Sequence, residues 1–124
     1  MIGKIYNVLF SYYDASKQKM AHKKRPVLII GIADEAGDYV IYPISRVTNS
    51  NNLSQDYDIK IDPQIYPNTK LNALSYVRTH KRSTVHRGEL SQCICDLKSE
   101  YNALYLTIVS AAKKFDEELI AKAI

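Results

Sequence analysis

Alternation of apolar and polar positions runs through the first three quarters of the chain and predicts a series of short β-strands. Turn-forming sequences rich in Asp, Asn, Gly, Ser and Pro separate most of these segments. A polar, lysine-rich loop is predicted between the first two strands, from Ser11 to Lys24. The predicted strands are Ile2 to Phe10, Pro26 to Ile32, Tyr39 to Val47, Tyr57 to Ile61, Ala73 to Arg78 and Ser83 to His86.

The period of the apolar positions changes near residue 96 to a repeat of three and four, which predicts an amphipathic helix. Asp96 is placed to cap its start, and the segment Lys113 to Asp116 is a candidate break. The simplest architecture is a mainly β fold in one domain over residues 1–124, a small barrel-like sheet closed by a C-terminal helix. The apolar helix positions are Leu97, Tyr101, Leu104, Ile108, Ala111, Phe115 and Leu119.

Composition agrees with one globular unit, because 46% of the 124 residues are hydrophobic and 24% are charged. No apolar run approaches the roughly 20 residues of a membrane span. The first ten residues lack the charged start and small-residue cleavage site of a signal peptide. We therefore expect a cytoplasmic protein with no membrane partner.

Metal and cofactor sites have little support in the sequence. Cys93 and Cys95 form a lone C-x-C, and strand alternation would place both thiols on one face as reduced structural groups. His22, His80 and His86 do not show metal-ligand spacing. The four glycines form neither a phosphate loop nor a dinucleotide fingerprint. We expect no metal and no cofactor.

Charge is unevenly distributed, although the formal net charge is only +4. Residues 15–33 and 63–88 contain no Asp or Glu, yet they hold ten of the 17 Lys and Arg residues. If the fold brings the two stretches together, they form a cationic surface for a polyanion; otherwise they are two separate solvated loops. The ten cations are Lys17, Lys19, Lys23, Lys24, Arg25, Lys70, Arg78, Lys81, Arg82 and Arg87.

Arg25 precedes Pro26, and proline fits the first residue of a strand, so the arginine is expected at the entrance of a rigid element. A guanidinium held in this way suits a phosphate group. Tyr12 and Tyr13 in the basic loop are candidates for stacking on unpaired bases. Arginine, lysine, hydroxyl and imidazole groups can support one demanding metal-free reaction, attack on an RNA phosphodiester by its own 2′-hydroxyl.

Three ordered segments, KKRPVLIIG, DYVIYPIS and SYVRTHKRSTVHRGEL, together resemble the MazF/PemK family of bacterial toxins from toxin–antitoxin pairs. The resemblance runs from Gly3 to about Leu97. It implies an SH3-like β-barrel of the MazF/PemK/CcdB type that forms a homodimer. It further implies a metal-independent endoribonuclease that cleaves single-stranded RNA to a 2′,3′-cyclic phosphate and is neutralised by a cognate antitoxin.

The resemblance places Arg25 on the family's catalytic arginine and Ser45 where the family usually carries a catalytic threonine. The first loop departs from the family's acidic and glycine-containing pattern. The arginine before the last strand is also replaced, since Ser83 stands there and only Arg82 could substitute for it. Candidate RNA-binding residues are Lys17, Lys19, Lys23, Lys24, Tyr12, Tyr13, Arg78, Lys81 and Arg82.

His80 and His86 are candidate general acid or base groups, with surface or core packing as the alternative reading. Two other functions stay open at this stage. One is a nucleic-acid or protein-binding module that keeps the barrel without chemistry. The other is a gyrase poison of the CcdB type, against which the absence of tryptophan argues.

Overall fold

The computed structural model describes the backbone of all 124 residues and every side chain except those of Phe10 and Tyr12. Short 3₁₀ turns lie at Ser50–Asn52, Pro67–Thr69 and Arg87–Glu89. Two helices, α1 (Leu97–Glu100) and α2 (Asn102–Ala123), follow the strands. The strands are β1 (Lys4–Asp14), β2 (Lys19–Ile32), β3 (Asp38–Ser45), β4 (Asp58–Ile61), β5 (Ser75–Arg78), β6 (Ser83–His86) and β7 (Leu90–Asp96).

The strands form one sheet in the order β4-β5-β3-β2-β1-β7, and β6 pairs with the first half of β3. Every pairing is antiparallel. The sheet curls into a half-barrel, and the C-terminal helix covers one of its faces. The predicted mainly β fold with a C-terminal helix is confirmed.

Two apolar clusters lie on opposite faces of the sheet, as strand alternation requires. The larger cluster joins Leu28 of β2 and Ile44 of β3 to Leu104 and Ile108 of α2. The smaller cluster lies on the other face. It consists of Val8, Val27, Ile29, Ile41 and Val85. Both faces of β2 are therefore buried near its centre, which explains the continuous apolar run after Pro26.

The prediction of a loop from Ser11 to Lys24 is wrong. Strands β1 and β2 continue through it as a paired hairpin, and only residues 15–18 form the turn. The carboxylate of Asp14 closes this turn by accepting hydrogen bonds from the backbone N–H groups of Ser16 and Lys17. The pattern missed the hairpin because both of its strands are largely solvated there, so no apolar face marks them.

The prediction that both cysteines share one face is also wrong. Cys95 is buried and Cys93 is exposed. The pairing of β1 with β7 shifts register between Ile5 and Tyr6, where an irregularity reverses the alternation. Burial raises the pKa of the Cys95 thiol to about 11. Strand β7 itself has no counterpart among the predicted strands.

The helix begins as expected, because the Asp96 carboxylate accepts a hydrogen bond of 3.3 Å from the Ser99 backbone N–H. The candidate break is misplaced. The chain departs from helical geometry at Tyr101, between α1 and α2, and α2 runs unbroken through Lys113 and Asp116 to Ala123.

Candidate functional site

Two prolines mark the place where β2 and β3 separate. The last residue pair of their ladder is Val27 with Pro43. The next residue toward the start of β2 is Pro26, which has no backbone N–H to donate to β3. From Pro26 back to Lys19, β2 is paired only with β1. The predicted position of Pro26 at the start of a strand is therefore wrong, but the reason that a proline is tolerated there is the same.

Arg25 and Ser45 each lie two residues beyond that last pair, one on β2 and the other at the end of β3. Because side chains alternate with a period of two, both project toward the same face of the sheet. The diverging strands open a groove between them. The structure thus brings together the two residues that the sequence proposes for chemistry.

The groove has a volume of about 810 Å³ and is walled by β1, β2, β7, the end of β3 and the segment before β5. Among the side chains that the structure describes, no carboxylate lines it. Polar groups include Asn7, Ser75 and Gln92. Five cationic residues line it, namely Lys23, Lys24, Arg25, Arg46 and Lys70.

The catalytic candidates are available for a ligand. Arg25 is exposed, and no described carboxylate lies within ion-pair distance of its guanidinium. Ser45 is half-buried, and within the described side chains its hydroxyl makes no hydrogen bond. A cation and a hydroxyl donor with unused capacity therefore face one cavity that already concentrates positive charge.

Comparison with known proteins identifies the family. Residues 2–109 match the model of the PemK-like, MazF-like toxins of type II toxin–antitoxin systems. The chain belongs to this family. No curated protein matches it.

Two solved structures share the fold. The Mycobacterium tuberculosis toxin MazF-mt6 is 17% identical, with 92% of this chain and 96% of that chain covered, and its TM-score is 0.60. A second structure, an Mtb toxin, is 19% identical over 73% of this chain and 91% of that chain, with a TM-score of 0.54. The half-barrel with its C-terminal helix is thus of the MazF type, as the sequence predicts.

The hairpin residues proposed for RNA binding in this MazF-like fold are divided between two places. Lys23 and Lys24 line the groove beside Arg25. Lys17 lies in the hairpin turn, and Lys19 begins β2; both lie outside the groove lining. Of the two tyrosine candidates, Tyr13 is exposed on β1 opposite Met20, whereas the side chain of Tyr12 lies outside the described residues.

The second acid-free stretch, residues 63–88, contributes only one described cation to the groove. Lys70 lines the groove, but Arg78 is turned toward a buried carboxylate. Its Nε lies 3.0 Å from Oδ1 of Asp58, whose side chain is 1% exposed, and its Nη2 donates to the Asn52 carbonyl at 2.9 Å. Arg78 is therefore a structural partner of Asp58, which also accepts a hydrogen bond from the Ser54 N–H.

Replacing Arg78 tests this structural role. Arg78→Ala is expected to lower the free energy of unfolding by about 3 to 5 kcal/mol, because it leaves a buried carboxylate without its cation. Chemical denaturation followed by circular dichroism measures the change. An Arg78→Ala protein as stable as the parent would contradict this structural role.

His80 and His86 lie outside the groove lining. His80 packs against Tyr57 and Phe115, and its Nδ1 lies 3.7 Å from the Asp58 carboxylate. Burial lowers the pKa of His80 and so favours the neutral ring. His86 accepts a hydrogen bond from the Gly88 N–H at 3.0 Å and caps a 3₁₀ turn. It pairs with Asp38, roughly 23 Å along β3 from Ser45.

Lys81 and Arg82 also lie outside the groove lining, and Arg82 pairs with Asp116 of α2 at 3.1 Å. Within one protomer, residues 78–87 therefore lie outside the groove that contains Arg25, and Asp58 and Asp116 supply counter-charges to two of their arginines. The sequence reasoning missed Arg46 as a groove residue, although it directly follows Ser45. It also did not single out Asn7 or Gln92, and no sequence signal marks them.

Two further observations concern metals and membranes. Across the residues that the structure describes, no three His, Cys, Asp or Glu side chains cluster as metal ligands would. No described helix has the length and apolar character needed to span a bilayer.

Proposed function

We propose that this chain is a toxin that cleaves single-stranded RNA by a metal-independent mechanism. The observation that carries the proposal is the groove, whose lining includes Arg25, Ser45, four further cationic residues and no described carboxylate. Such a surface attracts a polyanion, and its open shape leaves room for an extended strand with unstacked bases. A substrate of this kind places the activity in the cytoplasm.

The proposed reaction is transesterification within the RNA. The 2′-oxygen loses its proton and bonds to phosphorus, while the bond from phosphorus to the 5′-oxygen breaks and that oxygen gains a proton. A 2′,3′-cyclic phosphate and a 5′-hydroxyl result. The Arg25 guanidinium donates two parallel hydrogen bonds to the phosphate as negative charge develops on it, and the Ser45 hydroxyl adds a third donor.

Proton transfer in this proposal does not involve His80 or His86, because neither imidazole reaches the groove. The proton exchanges fall to groove side chains and to water. Arg25 also lies close to the leaving oxygen when it holds the phosphate, so it is a suitable group to stabilise that oxygen as the bond breaks.

The proposed reaction requires single-stranded RNA. We expect cleavage of an unstructured RNA, with no cleavage of the same sequence as DNA and much slower cleavage when the complementary strand is annealed. The assay is denaturing gel electrophoresis of end-labelled strands. Binding without cleavage would favour the alternative of a non-catalytic binding module. Equal cleavage of DNA would contradict the proposal.

The family implies a cognate antitoxin as partner. In our proposal the antitoxin inhibits the toxin by covering the groove. Acidic side chains of the antitoxin would be complementary in charge to the five cationic residues of the groove. Cleavage should then be lost at equimolar antitoxin and regained when the antitoxin is removed.

The outward face of α2 supports the expected homodimer. Leu106, Val109 and Ile120 lie exposed there, 53%, 38% and 58% respectively, on the side away from the core. A surface helix normally presents charged residues to solvent, so the exposed apolar residues of this face favour a protein partner.

We propose that this face packs against the same face of a second copy. In an antiparallel pair with its two-fold axis beside residue 115, the exposed apolar residues of each helix meet the partner helix, while Lys113 and Glu117 keep their i,i+4 ion pair of 4.0 Å within each helix. We expect a dimer at tens of micromolar by light scattering. Leu106→Glu should shift it toward monomer, and a parent protein that is only monomeric would contradict the expectation.

A further inference from the structure

Lys70 has an unusual backbone conformation. It follows the 3₁₀ turn Pro67–Thr69 with φ 57° and ψ 23°, in the left-handed region. That region is the domain of glycine and, less often, asparagine, because a side chain crowds the backbone there. A lysine at such a turn end therefore carries an energetic cost that a glycine would avoid.

The surroundings hold Lys70 in this conformation. Thr69 is fully buried, and its hydroxyl donates to the Tyr66 carbonyl at 2.7 Å. The Asn68 backbone N–H donates to the Tyr101 hydroxyl at 3.1 Å. The rings of Tyr66 and Tyr101 meet edge to face with their centroids 5.0 Å apart. The turn is thus fixed to the start of α2, a rigid element.

The side chain of Lys70 lines the same groove as Arg25 and Ser45. It is exposed, and no described carboxylate lies within ion-pair distance of it. The Lys70 ammonium, which has no described carboxylate partner, is therefore held at the groove by a backbone conformation that would suit glycine better.

We propose that Lys70 is a substrate-contacting residue that binds a phosphate next to the one being cleaved, and that its strained backbone serves to aim the ammonium into the groove. This inference rests on the proposed function. The different roles of Arg25 and Lys70 follow from the chemistry of their charged groups. A planar guanidinium gives Arg25 the directed fork that the reacting phosphate needs, whereas the compact ammonium of Lys70 attracts a neighbouring phosphate with little demand on its orientation.

The test is Lys70→Asn, because asparagine tolerates the left-handed region and removes the charge. We expect the melting temperature to rise by about 2 to 5 °C as the strain is relieved. We also expect the affinity for an uncleavable, 2′-deoxy single strand to fall about tenfold, and its log–log salt slope to become shallower by about 0.7, the value for one phosphate contact. For cleavage, we expect KM to rise by a larger factor than kcat falls.

Gln18→Asn is the matched control. Gln18 is the other described residue besides glycine with a positive φ, at 51°, and it lies in the hairpin turn outside the groove lining. Its replacement should raise the melting temperature and leave binding and cleavage unchanged. Lys70→Arg restores the charge and should restore most of the affinity without the gain in stability.

The outcomes separate this inference from the proposed function. If the parent protein cleaves RNA and Lys70→Asn binds and cleaves equally well with the same salt slope, the role of Lys70 is overturned while the function stands. A lower melting temperature with unchanged affinity would make Lys70 a structural residue. If the parent protein neither binds nor cleaves single strands, the proposed function fails and the role of Lys70 fails with it.

Discussion

Arg25→Ala is expected to slow RNA cleavage by about a hundred- to a thousandfold while leaving the fold intact. The guanidinium is exposed in the groove and has no ion pair with a described carboxylate, so its removal leaves no described carboxylate without a partner. It does remove the donors aimed at the charge that develops on the phosphate, and loss of one such donor typically costs that much in rate.

Single-turnover cleavage of a labelled RNA measures the effect, with circular dichroism and thermal melting as the check on folding. Arg25→Lys is the matched variant, because it keeps the charge and loses the fork; it should recover binding better than rate. Ser45→Ala should cost less, roughly tenfold, since a neutral hydroxyl is the weaker donor. A folded Arg25→Ala protein with full activity would contradict the assignment.

Removing one 2′-hydroxyl from the substrate is expected to abolish cleavage at that site altogether. In the proposed reaction that oxygen is the nucleophile, and the groove offers no substitute that would give the same cyclic product. Binding should be almost unchanged, because the phosphates that meet the five cations of the groove are all still present.

The experiment uses an RNA with one cut site and a single 2′-deoxy nucleotide on the 5′ side of the scissile phosphate. A strand with the deoxy nucleotide moved several positions away serves as control and should be cut normally. Cleavage of both strands at the same rate would mean that water or a protein group attacks phosphorus, and the substrate-assisted mechanism would be wrong.

Arg25 and Ser45 are joined as site residues by the resemblance to the MazF/PemK family, not by local sequence rules. In the structure each lies two residues beyond the last pair of β2 with β3, and the period of two sets the face on which its side chain lies. By contrast, the apolar run after Pro26 and the three-and-four repeat of α2 encode burial directly, so the mainly β fold with a C-terminal helix was accessible.

The errors arise where distant elements or irregular pairing decide the outcome. Residues 63–88 contain no acid, yet Asp58 and Asp116 neutralise two of their arginines from elsewhere in the fold. The solvated ends of β1 and β2 pair with each other and so need no apolar face to form the hairpin. The register shift in β7 separates the two cysteines, which regular alternation would have kept together. None of these features has a local signature.

Metal-free cleavage by the RNA's own hydroxyl in the Arg25 groove can be tested by the chemistry of the product ends. RNA should be incubated with the protein in excess EDTA and the fragments analysed by mass spectrometry and by end labelling. We expect undiminished cleavage with 2′,3′-cyclic phosphate and 5′-hydroxyl ends. Cleavage that stops in EDTA, or fragments that carry 5′-phosphate ends, would contradict this mechanism.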